Sequence, residues 1–61
     1  MTIEQLVTSM SELKVELKLL DNVDMDRYDQ AYMYAVDMMI CKTGNINHIK
    51  AEYEHFKSLV Q

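Results

Sequence analysis

The chain has 61 residues, with six Lys plus Arg against ten Asp plus Glu, for a net charge of −4. Apolar residues make up 49 % and charged residues 26 %, which excludes a disordered polyelectrolyte and leaves room for one small domain over residues 1–61. Proline is absent and Gly44 is the only glycine, so a compact β fold, which needs tight turns, is excluded as well.

Residues 3–20 carry the clearest pattern. Ile3, Leu6, Met10, Leu13, Leu17 and Leu20 recur in alternating steps of three and four, which keeps one stripe on one face of a helix. Thr2 and Gln5 form a capping-box pair at its start. The spacing predicts a first helix over about 3–20. Val15 and Leu19 lie off this stripe, while Lys14 and Glu16 flank it, an arrangement suited to an antiparallel neighbour.

Asp21-Asn22-Val23-Asp24 breaks the pattern, because Asp and Asn bond nearby backbone and favour turns and helix starts. Asp24 is the expected N-cap of a second helix over about 25–42, with Asp26 in its first turn at the positive end of the helix dipole. Thr43-Gly44-Asn45 should end it, with Gly44 in the left-handed C-terminal position. A third helix over about 46–60 follows. Asn45 is its expected N-cap, with Asn47 the competitor, and Ile46, Ile49, Tyr53, Phe56 and Val60 form its stripe. Three helices joined by short loops predict an all-α, antiparallel, up-down-up bundle, open to self-association.

The second helix carries more apolar surface than a three-helix bundle uses. At 100° per residue, Tyr28, Tyr32, Ala35 and Met39 centre one stripe, flanked by Met25 and Val36. Met33 and Ile40 lie round one side of it, and Ala31, Tyr34, Met38 and Cys41 round the other. Only Asp26, Gln30 and Asp37 mark a polar strip. A helix apolar nearly all round asks for another neighbour. Residues 21–40 also hold the acidic excess, five Asp against Arg27. The sequence therefore nominates Asp26, Asp29, Met33, Tyr34, Asp37, Met38 and Ile40 as partner-binding residues, with Tyr as an interface anchor, Met as an adaptable contact and Asp as an acidic rim.

Enzyme and cofactor chemistry finds no support in the sequence. The acidic segment from Asp21 to Asp29 fails the calcium-loop register, since counting from Asp24 puts Asp29 at the sixth position and Ala35 at the twelfth, where Gly and Glu are required. His48, Glu52 and His55 share a side of the third helix, but a metal site needs further ligands from elsewhere. Cys41 has no sign of a base and oxyanion site around it and is expected to be a small, partly buried thiol. No Gly-rich phosphate loop occurs. Neither a catalytic residue, a metal nor a cofactor is expected.

The leading expectation is a small non-enzymatic regulator or inhibitor that occludes or bridges a partner protein through the second helix and its acidic patch. One alternative is a structural homo-oligomer, such as a dimer, sealed through the same helix or the first. Another is a helix-turn-helix DNA-binding protein, since the third helix offers Asn45, Asn47, His48, Lys50 and Lys57. The negative net charge and Glu52 and Glu54 weigh against nucleic acid. The N-terminus lacks a basic start followed by an apolar core, so no signal peptide is expected. No apolar run approaches the roughly 20 residues needed to cross a bilayer. A single thiol and no disulfide suit a cytoplasmic setting. The starting Met and the lack of a tag read as a complete small gene product, of the size and charge expected of a regulator from a compact genome such as a phage.

Overall fold

The structure, a computed structural model, describes residues 1–60. Three helices follow one another: α1 (Ile3–Leu17), α2 (Met25–Cys41) and α3 (Ile46–Ser58), with no strand among the described residues. They pack as a small all-α antiparallel bundle, and each start is fixed by the residue expected to fix it. Thr2 Oγ1 accepts from the Gln5 N–H at 3.2 Å while Gln5 Oε1 accepts from the Thr2 N–H at 2.9 Å, a complete capping box. Asp24 Oδ1 accepts from the Arg27 N–H at 3.1 Å, and Asn45 Oδ1 from the Asn47 N–H at 3.0 Å.

The ends differ from the sequence expectation. α1 closes at Leu17 rather than 20, because the Leu19 and Leu20 N–H groups bond the Glu16 and Leu17 carbonyls in tight three-residue turns. Leu20, the last member of the expected stripe, is therefore exposed. α3 ends at Ser58 in the same way, with Leu59 and Val60 bonding back to Phe56 and Lys57. α2 stops one residue earlier than expected. Its left-handed closing residue is Lys42, at φ 55°, whose N–H bonds the Met38 carbonyl at 2.8 Å. Gly44 is left-handed as well, at φ 97°. It has a second constraint, since a Cβ there would lie 2.5 Å from Met38 Sδ. The loop folds back over Met38 only because residue 44 has no side chain.

The core is built from Leu6, Met10, Leu13 and Leu17 of α1, Tyr28, Ala31 and Ala35 of α2, and Ile49 and Phe56 of α3. Ile46, Tyr53 and Val60 pack against its edge. α2 is rotated from its expected setting. Tyr32 and Met39 are only half-buried, and Ala31, expected on a flank, lies in the core. Two causes fix this rotation. Ala31 and Ala35 are small enough to let the neighbouring helices close in, which Tyr32 and Met39 are not. The Tyr28 hydroxyl also needs a partner once buried, and it donates to the Met10 carbonyl of α1. The Tyr28 ring meets Phe56 edge-on, with centroids 5.0 Å apart and planes at 86°.

Two ion pairs stitch the helices at the flanks of this core. Arg27 Nε donates to Glu52 Oε2 at 2.9 Å and Nη2 to Oε1 at 2.8 Å, a two-pronged pair between α2 and α3. The same guanidinium lies over the Phe56 ring at 5.6 Å. Lys14 Nζ of α1 reaches Asp29 Oδ1 of α2 at 2.9 Å.

Candidate functional site

With α2 turned so that Tyr28, Ala31 and Ala35 face inward, its opposite face is set by helical geometry. Asp26, Met33, Asp37 and Ile40 fall within about 40° of one meridian at 100° per residue, and Tyr34 lies on the flank toward α3. Met33, Tyr34 and Ile40 are 65 %, 54 % and 69 % exposed. Asp26, Asp29, Gln30, Met33, Tyr34 and Asp37 line one open hollow of about 460 Å³. Five of the seven residues nominated from the sequence thus meet in one place. Ile40 extends the same row, two turns beyond Met33.

Two of the nominated residues, Met38 and Asp29, have intramolecular contacts. Met38 is half-buried, packs against the core and supports the turn at Gly44, so it stands on the inner flank of α2 rather than on the outer face. Asp29 Oδ1 is screened from water and lacks a regular hydrogen bond; its contact is the Lys14 ammonium. Asp29 therefore joins α1 to α2 at the edge of the hollow. Asp26 and Asp37 are exposed and make no ion pair within 4 Å among the described residues.

Tyr34 also borders a second hollow of about 390 Å³ between α2 and α3, together with Met38, Gly44, Asn45, His48 and Ile49. It is a ridge between the acidic hollow and this apolar one. Away from α2, Val15 and Leu19 stand exposed on α1. They lie off the buried stripe, where the wheel places them.

Tyr28, Arg27 and Glu52 do structural work. Burial raises the Tyr28 hydroxyl above its ordinary pKa, so it stays protonated and holds the Met10 carbonyl. Hydrogen bonds from Arg27, and then its charge, hold the Glu52 carboxyl below the usual range, and Glu52 raises Arg27 in return. Glu52 thus faces Arg27, and the His48–Glu52–His55 side of α3 has its carboxylate already engaged. His55 meets Phe56 edge-on at 5.2 Å. Among the described residues, no group of three or more His, Cys, Asp or Glu is placed to hold a metal ion. Cys41, expected to be partly buried, is exposed: it falls on the Tyr34 flank of α2, in the last position of the helix. On α3, Asn47, His48 and Lys50 are exposed, and Lys57 lies over the Tyr53 ring at 5.8 Å. No helix among the described residues is long and apolar enough to cross a membrane.

No protein-family model matches this chain, and no curated protein or solved structure is significantly similar to it.

The sequence missed the two cross-helix ion pairs. Arg27 and Glu52 stand 25 positions apart, and no local spacing links them. A weak signal existed in that Arg27 is the only cation among five aspartates over residues 21–40. A lone cation placed there invites a specific carboxylate partner.

Proposed function

We propose that the chain is a small non-enzymatic regulator that acts by occluding or bridging a partner protein through the outer face of α2, in the cytoplasm. The observation that supports this reading most is the coincidence of three large apolar side chains, Met33, Tyr34 and Ile40, with the unpaired carboxylates of Asp26 and Asp37 on one helix face. Exposed apolar side chains of this size, rimmed by charge, are the usual make-up of a docking patch. Met33 and Ile40 lie opposite the core, so they add little to packing within the chain. Tyr34 supplies the rigid anchor, Met33 and Ile40 the adaptable contact, and the two aspartates the rim that sets orientation.

The test is recovery of partners on the immobilised full chain, compared with Tyr34→Ala and Ile40→Asp. Both variants should keep the far-ultraviolet helical signal and lose the bound protein. Recovery that survives both substitutions contradicts the reading.

A homo-oligomeric reading draws on Val15 and Leu19, 66 % and 81 % exposed on α1. It expects a solution mass near two chains that falls on dilution. Nucleic-acid binding draws less support, because Arg27 and Lys14 are committed to carboxylates and the exposed face of α2 is acidic.

A further inference from the structure

We propose that the occupant of the outer face of α2 is a cationic amphipathic helix of another protein, with Lys or Arg side chains about 16 Å apart bracketing an apolar stripe. The inference rests on the docking reading above and specifies its partner. Asp26 and Asp37 are eleven residues apart, which on a helix is about 16 Å along the axis and about 20° off one meridian. Met33 and Tyr34 stand between them, and Ile40 lies just beyond. No cation lines the hollow. Two cations of the neighbouring surface have other partners: Lys14 sits on Asp29, and Arg27 is turned to α3 and held by Glu52. The last turn of α2 has no basic residue. The face therefore presents two uncompensated negative charges at a helical repeat, with apolar surface between them. A partner helix with cations at i and i+11 and apolar residues at i+4, i+7 and i+8 matches that pattern.

A helix fits this surface better than an extended segment. The α2 backbone satisfies its own hydrogen bonds and offers no ladder for a strand, whereas side-chain ridges on a helix accept the ridges of another. A second copy of this chain matches poorly. α3 exposes no large apolar residue between Ile46 and Ser58. On α1, Val15 and Leu19 are interleaved with Glu12 and Glu16 as well as Lys18. Among the described residues, no helix joins two free cations to an exposed apolar stripe.

The experiment titrates the full chain into a labelled synthetic Leu/Lys helix of about 18 residues in the register above. Two control peptides accompany it, one with Leu and Lys interchanged to scatter the stripe and one with Glu for Lys. Binding is read by fluorescence anisotropy, and its location by amide shifts of the labelled chain. The expected result is binding of the register-matched peptide alone, shifts centred on residues 26–40, and steep weakening with salt. Asp26→Asn with Asp37→Asn should weaken binding about tenfold. Unchanged affinity in that double variant, or equal binding of the scattered peptide, overturns the cationic-helix proposal. Met33→Ser with Ile40→Ser separates it from the docking reading. Loss of binding in that pair, with none in the aspartate pair, keeps the docking face and discards the cation requirement. No loss in either pair, or shifts centred on α3, discards both. A two-chain mass for the free protein in light scattering that Ile40→Asp abolishes and Leu19→Asp does not assigns the face to a second copy and also overturns the proposal.

Discussion

The inner and outer faces of α2 both carry apolar side chains and a tyrosine, yet they have opposite fates. Inward, Tyr28, Ala31 and Ala35 are buried, and the one polar group they bring in, the Tyr28 hydroxyl, has its acceptor in Met10. Outward, Met33, Tyr34 and Ile40 are mostly exposed, and Asp26 and Asp37 are unpaired. What distinguishes them is side-chain size and the two carboxylates, Asp26 and Asp37, that only the outer face carries. The bundle chose the face whose alanines permit close approach and whose tyrosine finds a carbonyl. The rejected face kept side chains too large for that gap, and it is those side chains that are free to meet another molecule.

If this division holds, substitutions on the two faces should separate stability from binding. The largest effect is expected at the aromatic pair. Phe56→Ala removes a buried ring from against Tyr28 and should cost about 3–5 kcal/mol, enough to unfold a domain of this size in a thermal or urea melt. A folded Phe56→Ala variant would show that the core is not where we place it. Gly44→Ala comes next, at about 1–2 kcal/mol, since the added methyl strains a left-handed backbone and pushes into Met38. A urea midpoint equal to that of the parent chain would show that the loop does not close over Met38. Tyr28→Phe should cost about 1 kcal/mol, because it deletes one buried hydrogen bond while the Met10 carbonyl keeps its helical partner.

The α2–α3 ion pair makes a prediction about pH. The folded state lowers the Glu52 pKa, so the pair contributes stability above the unfolded glutamate value of about 4.3, and that contribution is lost as pH falls through the lower folded value. The melting temperature of the parent chain should drop across that acid window more than that of Glu52→Gln. Parallel curves would remove Glu52 from the account. Lys42→Gly should act in the opposite direction and stabilise by about 0.5–1 kcal/mol, because it relieves a side chain in the left-handed region. The smallest effect on stability, within about 0.5 kcal/mol, is expected for Met33→Ser and Ile40→Ser on the outer face. There the change should appear in binding alone.

The starts of the helices were legible because they depend on neighbours in sequence. Thr2 with Gln5, Asp24, and Asn45 each cap from within three residues. Most of the α1 and α3 stripes were legible for a related reason: one face was apolar and the other was not, so the wheel had a single solution. α2 had no such contrast. Its apolar residues run nearly all round, and the setting that buries Ala31 and half-exposes Tyr32 depends on the widths of gaps that α1 and α3 leave. For the same reason the residues nominated for the outer face include Met38, which stands on the inner flank of α2. The closing turn at Lys42 was hidden because nothing in a lysine announces a left-handed backbone. The ion pairs of Arg27 and Lys14 were hidden because they join positions far apart in the chain.

If the outer face of α2 is the docking face proposed above, it and not α3 should meet another protein. The most direct measurement places a photo-crosslinking side chain at position 33, and separately at the exposed position 51 on α3, in the full chain expressed in cells. The account predicts one discrete adduct with a different protein from position 33 and none from position 51. No adduct from position 33, or the same adduct from both positions, would contradict it.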